Sequence, residues 1–239
     1  MSGTVRRSAS TCKRPDTWRF SAADWRDRLL ESGPMLRLLF VRHGRTSWNA
    51  QGRVQGGGGL DALGRAQAAA LGERLRDEPL DAIYSSPALR ARQTARPLAR
   101  IHDLRVRQRN LLHDLSYGKY AGALLADVQH EQPELVARWR TEPHRVRFEG
   151  GESLGELRGR IVRFVAGVGK AHASGALLIA THDSPVRVAL SLALGIDDAE
   201  HNREDLVTQL GSITEFELVD GALRLLLHND VAHLQGLDG

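Results

Sequence analysis

Two histidines in this 239-residue sequence stand beside charged side chains, and a third stretch offers arginines able to join them. The first histidine lies in Arg42-His43-Gly44-Arg45-Thr46-Ser47-Trp48-Asn49 and the second in Thr181-His182-Asp183, while Ser85-Ser86-Pro87 is followed by Arg90, Arg92 and Gln93. A neutral imidazole can attack phosphorus, and arginines present planar forks of donors that match phosphate oxygens. Such a set suits a phosphate ester if the fold brings the three stretches together. Taken singly, each reads as a turn with incidental polar residues. A metal site built from His43, His182, Asp114 and Asp183 is the competing arrangement, and the adjacent arginines weigh against it because they would repel a cation.

The elements that must position these residues follow from the hydrophobic pattern. Residues 36–41, 81–84 and 176–181 read as buried strands, and each ends directly before one of the stretches above. Residues 105–108 read as a shorter strand. Helical spacing covers 61–77, 89–101 despite Pro97, two short segments flanking Pro133, 152–173, and 185–194 with Pro185 in the first turn. Residues 212–218 and 222–227 form a closing hairpin. Short apolar runs alternating with helices predict an α/β three-layer sandwich, with a mainly parallel sheet, helices on both faces and an antiparallel C-terminal hairpin. In such sheets ligands bind at the carboxyl ends of the strands, where His43, His182 and Arg90 all fall.

Composition narrows the function further. The chain is 41% apolar with one cysteine, so no intrachain disulfide is available. Its apolar runs fall short of the roughly 18 residues of a membrane span. Of the formal net charge of +4, most sits in residues 1–34, where seven basic residues face four acidic ones. That placement argues against a nucleic-acid surface on the folded domain, which would cluster basic residues there. Residues 1–34 read as a basic, poorly ordered extension, with Met35 an alternative start, and residues 35–239 as the catalytic domain. A cytoplasmic protein with no nucleic-acid or membrane partner is expected, and oligomeric state is left open.

Arg42-His43-Gly44-x-Thr46-x-x-Asn49, Ser85-Ser86-Pro87-x-x-Arg90-Ala91-x-Gln93-Thr94, Gly151-Glu152-Ser153 and Thr181-His182, in that order, resemble the histidine phosphatase superfamily in its phosphoglycerate mutase-like branch. The resemblance spans about residues 35–235. It implies a metal-independent phosphomonoesterase that acts on a small phosphorylated metabolite through a phosphohistidine, without a cofactor. By that resemblance His43 is the nucleophile, and Arg42, Arg90 and His182 surround the phosphoryl group, with His182 protonated. The family places a glutamate four residues before a glycine as proton donor; here Asp114, before Gly118, occupies that slot, and Asp183 is its rival. Substrate contacts are expected from Asn49, Gln55, Gly56 and Glu152, although Asn49 also reads as a turn-capping amide and Glu152 as a helix-start carboxylate. The glycines at 57–59 replace a longer stretch usual in the family. His102, His130, His144, His172, His201 and His228 read as surface residues, His233 as a structural one, and His113 either as shaping the pocket or as solvated. Two alternatives stand beside the phosphatase. A phosphoglycerate mutase would carry a longer insertion than the 34 positions from Gly118 to Glu152, and a silent binding protein would be expected to have lost part of the set.

Overall fold

The computed structural model describes residues 35–54 and 57–237. Residues 1–34, Gln55, Gly56, Asp238 and Gly239 lie outside the described residues, together with the expectations placed on them. The chain runs through β1 (Leu36–Arg42), α1 (Ser47–Ala50), α2 (Ala62–Arg74), β2 (Leu80–Ser85), α3 (Leu89–Ile101), β3 (Val106–Gln108), α4 (Leu125–Glu131), α5 (Pro133–Thr141), α6 (Leu154–Ala171), β4 (Gly175–Thr181), α7 (Asp183–Leu194), β5 (Ile213–Val219) and β6 (Ala222–Asp230). The strands form one six-stranded sheet in the order β3-β2-β4-β1-β5-β6. β1 to β4 run parallel, while β5 is antiparallel to β1 and β6 to β5.

Successive side chains of a strand point to opposite faces, so a strand covered on both sides must be apolar throughout. β1 meets that requirement over residues 38–41, with the buried Arg37 paired to Glu78 and Glu215: Leu38 and Phe40 enter one core with Leu157, Ile161, Phe164 and Val188, while Leu39 and Val41 enter the other with Leu71, Leu75 and Leu98. β4 divides the same way, Leu177 and Ile179 against Leu178 and Ala180. Helices α6 and α7 therefore cover one face and α2 and α3 the other, which is the three-layer sandwich expected. Phe40 anchors the first core edge to face on Phe216, with ring centroids 5.5 Å apart.

Where boundaries depart from the sequence reading, capping explains the difference. Asp61 stays outside α2 because its carboxylate accepts the Gly64 amide at 2.8 Å. Ser153 caps α6 in a reciprocal capping box with Glu156, which leaves Glu152 ahead of the helix instead of inside its start. Helix α7 begins at Asp183, with Pro185 in its first turn as expected.

Candidate active site

Strand register brings the three stretches together. Arg42 lies opposite Thr181 in the β1–β4 pair, and Ser85 opposite Ala180 in the β2–β4 pair. The three strands end level, so the His43 amide donates to Thr181 O and the Ser86 amide to Ala180 O, each at 2.9 Å. The rings of His43 and His182 consequently meet edge to face with centroids 5.2 Å apart. Arg90 joins them from the first turn of α3 and is 6% exposed.

The turn after His43 depends on two glycines in contact. A Cβ on Gly44 would lie 2.7 Å from Gly64 O, and one on Gly64 would lie 2.0 Å from Arg45 O. Backbone cannot yield there as a flexible side chain would. Gly64→Ala is expected to destabilise the fold by about 1–3 kcal/mol through overpacking. A lowered urea midpoint would register it, and an unchanged midpoint would contradict this packing.

The protonation state of His43 follows from its partners. Nδ1 lies 2.8 Å from Gly44 O, and a carbonyl can only accept, so Nδ1 carries the proton. Nε2 then presents its lone pair and accepts from Arg90 Nε at 3.1 Å. Burial, and next the Arg90 charge, lower the His43 pKa to about 3. The ring is neutral at physiological pH, with the lone pair on Nε2.

His182 is fully buried, its Nε2 2.9 Å from Ser86 Oγ. Burial, then Arg90, hold its pKa well below the ordinary value. The ring is thus neutral by itself, and the protonated form expected from the sequence requires a further negative charge in the pocket. Its Nδ1 is buried without a hydrogen-bond partner among the described residues, as is Arg42 Nε. Arg42 is otherwise held by its Nη1, which donates to Thr208 O and lies 3.4 Å from Asp183 Oδ1.

The two rival carboxylates occupy different environments. Asp114 Oδ2 stands 3.7 Å from Arg90 Nη2 and 3.9 Å from His182 Nδ1. Burial outweighs the opposing pull of Arg90 and raises the Asp114 pKa to about 6. Asp183 accepts from Thr208 Oγ1 at 2.7 Å and Arg187 Nε at 2.8 Å. Burial opposes ionisation there, but Arg42 and Arg187 together hold its pKa below the usual value. One carboxyl is therefore poised to carry a proton near neutrality, and the other is a fixed anion bracing Arg42. The metal cluster weighed from the sequence is not assembled, since Asp183 faces two arginines. Among the described residues no group of three or more His, Cys, Asp or Glu side chains converges on a common point.

The expected substrate contacts fare unevenly. Asn49 Oδ1 accepts from the Thr46 amide at 3.1 Å and Thr46 Oγ1 at 2.9 Å, the capping role weighed as its alternative. Glu152 is held by a different partner: both its carboxylate oxygens accept from Arg160, at 2.8 and 2.7 Å. Gln55 and Gly56 lie outside the described residues. His201 is 2% exposed instead of on the surface, packed with its ring 5.9 Å from that of Trp139, and burial followed by Arg187 lowers its pKa to about 4. Sequence reasoning passed over Thr208, Arg187 and Arg160. Only the i,i+4 spacing of Asp183 and Arg187 offered a local signal.

Comparison with known proteins agrees with this arrangement. Residues 38–231 match the family model described as histidine phosphatase superfamily (branch 1). Phosphoserine phosphatase 1 of Hydrogenobacter thermophilus is 36% identical over 165 residues, covering 68% of this chain and 78% of the relative. The metal-independent phosphoserine phosphatase of Arabidopsis thaliana is 28% identical over 176 residues, 68% of this chain and 71% of the relative. The solved structure of YhfR from Bacillus stearothermophilus superposes with a TM-score of 0.80 at 25% identity, covering 84% of this chain and all of that one.

Proposed function

We infer the roles of the site residues from the premise that the chain belongs to branch 1 of the histidine phosphatase superfamily and is a metal-independent phosphatase acting through a phosphohistidine. His43 Nε2 attacks phosphorus, the ester P–O bond breaks, and Asp114 gives its proton to the departing alkoxide. Water then attacks the phosphohistidine while the Asp114 carboxylate takes the proton back, releasing phosphate and free His43. Arg42, Arg90 and His182 meet the equatorial oxygens, where phosphoryl transfer concentrates its charge. The observation that carries this reading is the fixed tautomer of His43, whose unprotonated Nε2 accepts from Arg90 Nε. The buried Arg42 Nε and His182 Nδ1 each lack a hydrogen-bond partner among the described residues; Arg42 Nε is a donor that an oxyanion would satisfy, and His182 Nδ1 becomes one when it carries the proton.

The names of the relatives make phosphoserine the first substrate to try. Phosphate release from p-nitrophenyl phosphate and phosphoserine between about pH 5 and 8, in EDTA, tests the reading. Activity is expected to persist in EDTA, and its loss there would overturn the metal-free mechanism. Asp183→Asn is expected to slow both substrates by a similar factor, because it loosens Arg42 without removing the acid. A loss confined to phosphoserine would reassign the proton donor to Asp183.

We take residues 35–239 as the catalytic domain and propose that Asn49 supplies its amide nitrogen to the phosphate. Among the described residues no helix is long and apolar enough to cross a membrane. A cytoplasmic enzyme with a small-molecule partner and no nucleic-acid or membrane partner remains the reading we carry forward.

A further inference from the structure

We propose that Arg160, through Glu152, is the residue that positions the proton donor, and that it governs the rate for poor leaving groups; the inference rests on the role given above to Asp114. A guanidinium has five N–H donors, and in Arg160 every one is used within the same small region. Nη1 donates to Leu111 O at 2.7 Å and His113 O at 2.9 Å, and Nη2 donates to Asp114 O at 3.0 Å. Nε and the second Nη2 donor grip both oxygens of Glu152. Glu152 in turn accepts the Ser116 amide at 3.1 Å, and its own amide donates to Ser116 O at 2.8 Å. Arg160 and Glu152 thus hold the chain at residues 111, 113, 114 and 116, on both sides of the Asp114 side chain.

The segment needs such a clamp. It has left β3 and carries only a three-residue turn, Asn110–Leu112, so no sheet ladder fixes it. Arg160 projects from the middle of α6, an 18-residue helix locked into the core by Leu157, Ile161 and Phe164. The clamp therefore ties the Asp114 backbone to a helix whose apolar face is buried in the core. Its carbonyl bonds fix three main-chain groups, which side-chain packing around Asp114 alone would not do. Misplacing a catalytic group by about 1 Å costs on the order of 10² in rate.

The test compares an ester that needs its leaving group protonated with one that does not. Arg160→Met, Arg160→Lys and Glu152→Gln are assayed in the full-length protein on phosphoserine and on p-nitrophenyl phosphate, with Asp114→Asn in parallel. In Arg160→Met the phosphoserine kcat is expected to fall on the order of 10²-fold, at least ten times more than the aryl ester. Arg160→Lys, which keeps the charge but not the fork, is expected to recover part of the loss. The alkaline fall of the phosphoserine rate is expected to move in both variants, reporting a changed Asp114 environment. Equal losses on both esters in a protein with native circular dichroism would make Arg160 merely structural, and no loss on either would equally overturn the proposal. If Arg160→Met does not fold, Glu152→Gln and Arg160→Lys carry the same comparison. Failure of Asp114→Asn to separate the two esters would remove the proton-donor reading itself. Separation by Asp114→Asn but not by the Arg160 variants would remove the clamp alone.

Discussion

His43→Ala is expected to lose phosphate release by about 10⁴-fold or more on every ester, because it deletes the atom that becomes phosphorylated. No neighbour can substitute. His182 Nε2 is committed to Ser86 Oγ, and its ring is fully buried. The loss is expected to be independent of leaving group, which separates it from loss of the acid. The acid limb of the wild-type profile supplies a second check. Burial and Arg90 lower the His43 pKa to about 3, so the nucleophile stays neutral across the whole working range. A fall in activity between pH 5 and about 7 that tracks imidazole protonation would contradict the neutral, buried His43.

Asp114→Asn is expected to lower turnover of phosphoserine by about 10²–10⁴-fold while slowing p-nitrophenyl phosphate far less. An alkoxide is a poor leaving group without a proton, whereas p-nitrophenolate departs unaided. The pH dependence has a definite sign. Asp114 works protonated in the first step, and its pKa is raised to about 6, so kcat/KM for an alkyl phosphate is high below that pH and falls as pH rises through it. In Asp114→Asn that fall is expected to vanish. Steady-state profiles of both proteins on both esters measure it, and an unchanged alkaline limb in the variant would assign the ionisation elsewhere. An aspartate is one methylene shorter than the glutamate usual at this slot. The structure offsets its lower intrinsic pKa by burial, with the opposing Arg90 kept 3.7 Å away.

Much of this was legible in the residues. β1 announced itself through the apolar run over residues 38–41, all four of them buried, while the buried Arg37 before them is paired with Glu78 and Glu215 across the fold. The two histidines and Arg90 were placed at strand ends by pattern alone, and the register of Arg42 with Thr181 then made them neighbours. Caps such as Asp61 and Ser153 trimmed the helices in ways their side chains explain. What stayed hidden depended on contacts distant in sequence. Asp114 and Asp183 are the same residue type, each one position from a histidine, and beyond the i,i+4 spacing to Arg187 nothing local separates a carboxyl buried near neutrality from one fixed between Arg42, Arg187 and Thr208. His201 looked like a solvated imidazole because the groups covering it, Trp139 and Arg187, come from two other helices. Arg160 lies one residue from Ile161 in an ordinary amphipathic pattern. Its service to Leu111, His113 and Asp114 spans more than forty residues and leaves no mark on the spacing.

The central claim is that phosphorus passes through Nε2 of His43. Quenching the enzyme in alkaline denaturant during turnover of a radiolabelled phosphate ester, with EDTA present, tests it most directly. The account predicts protein-bound label that survives alkali, is released by acid as a phosphoramidate is, and maps to the peptide containing His43. Label on a serine or a carboxylate, or turnover with no protein-bound phosphate in a trap that captures a known phosphohistidine, would contradict it.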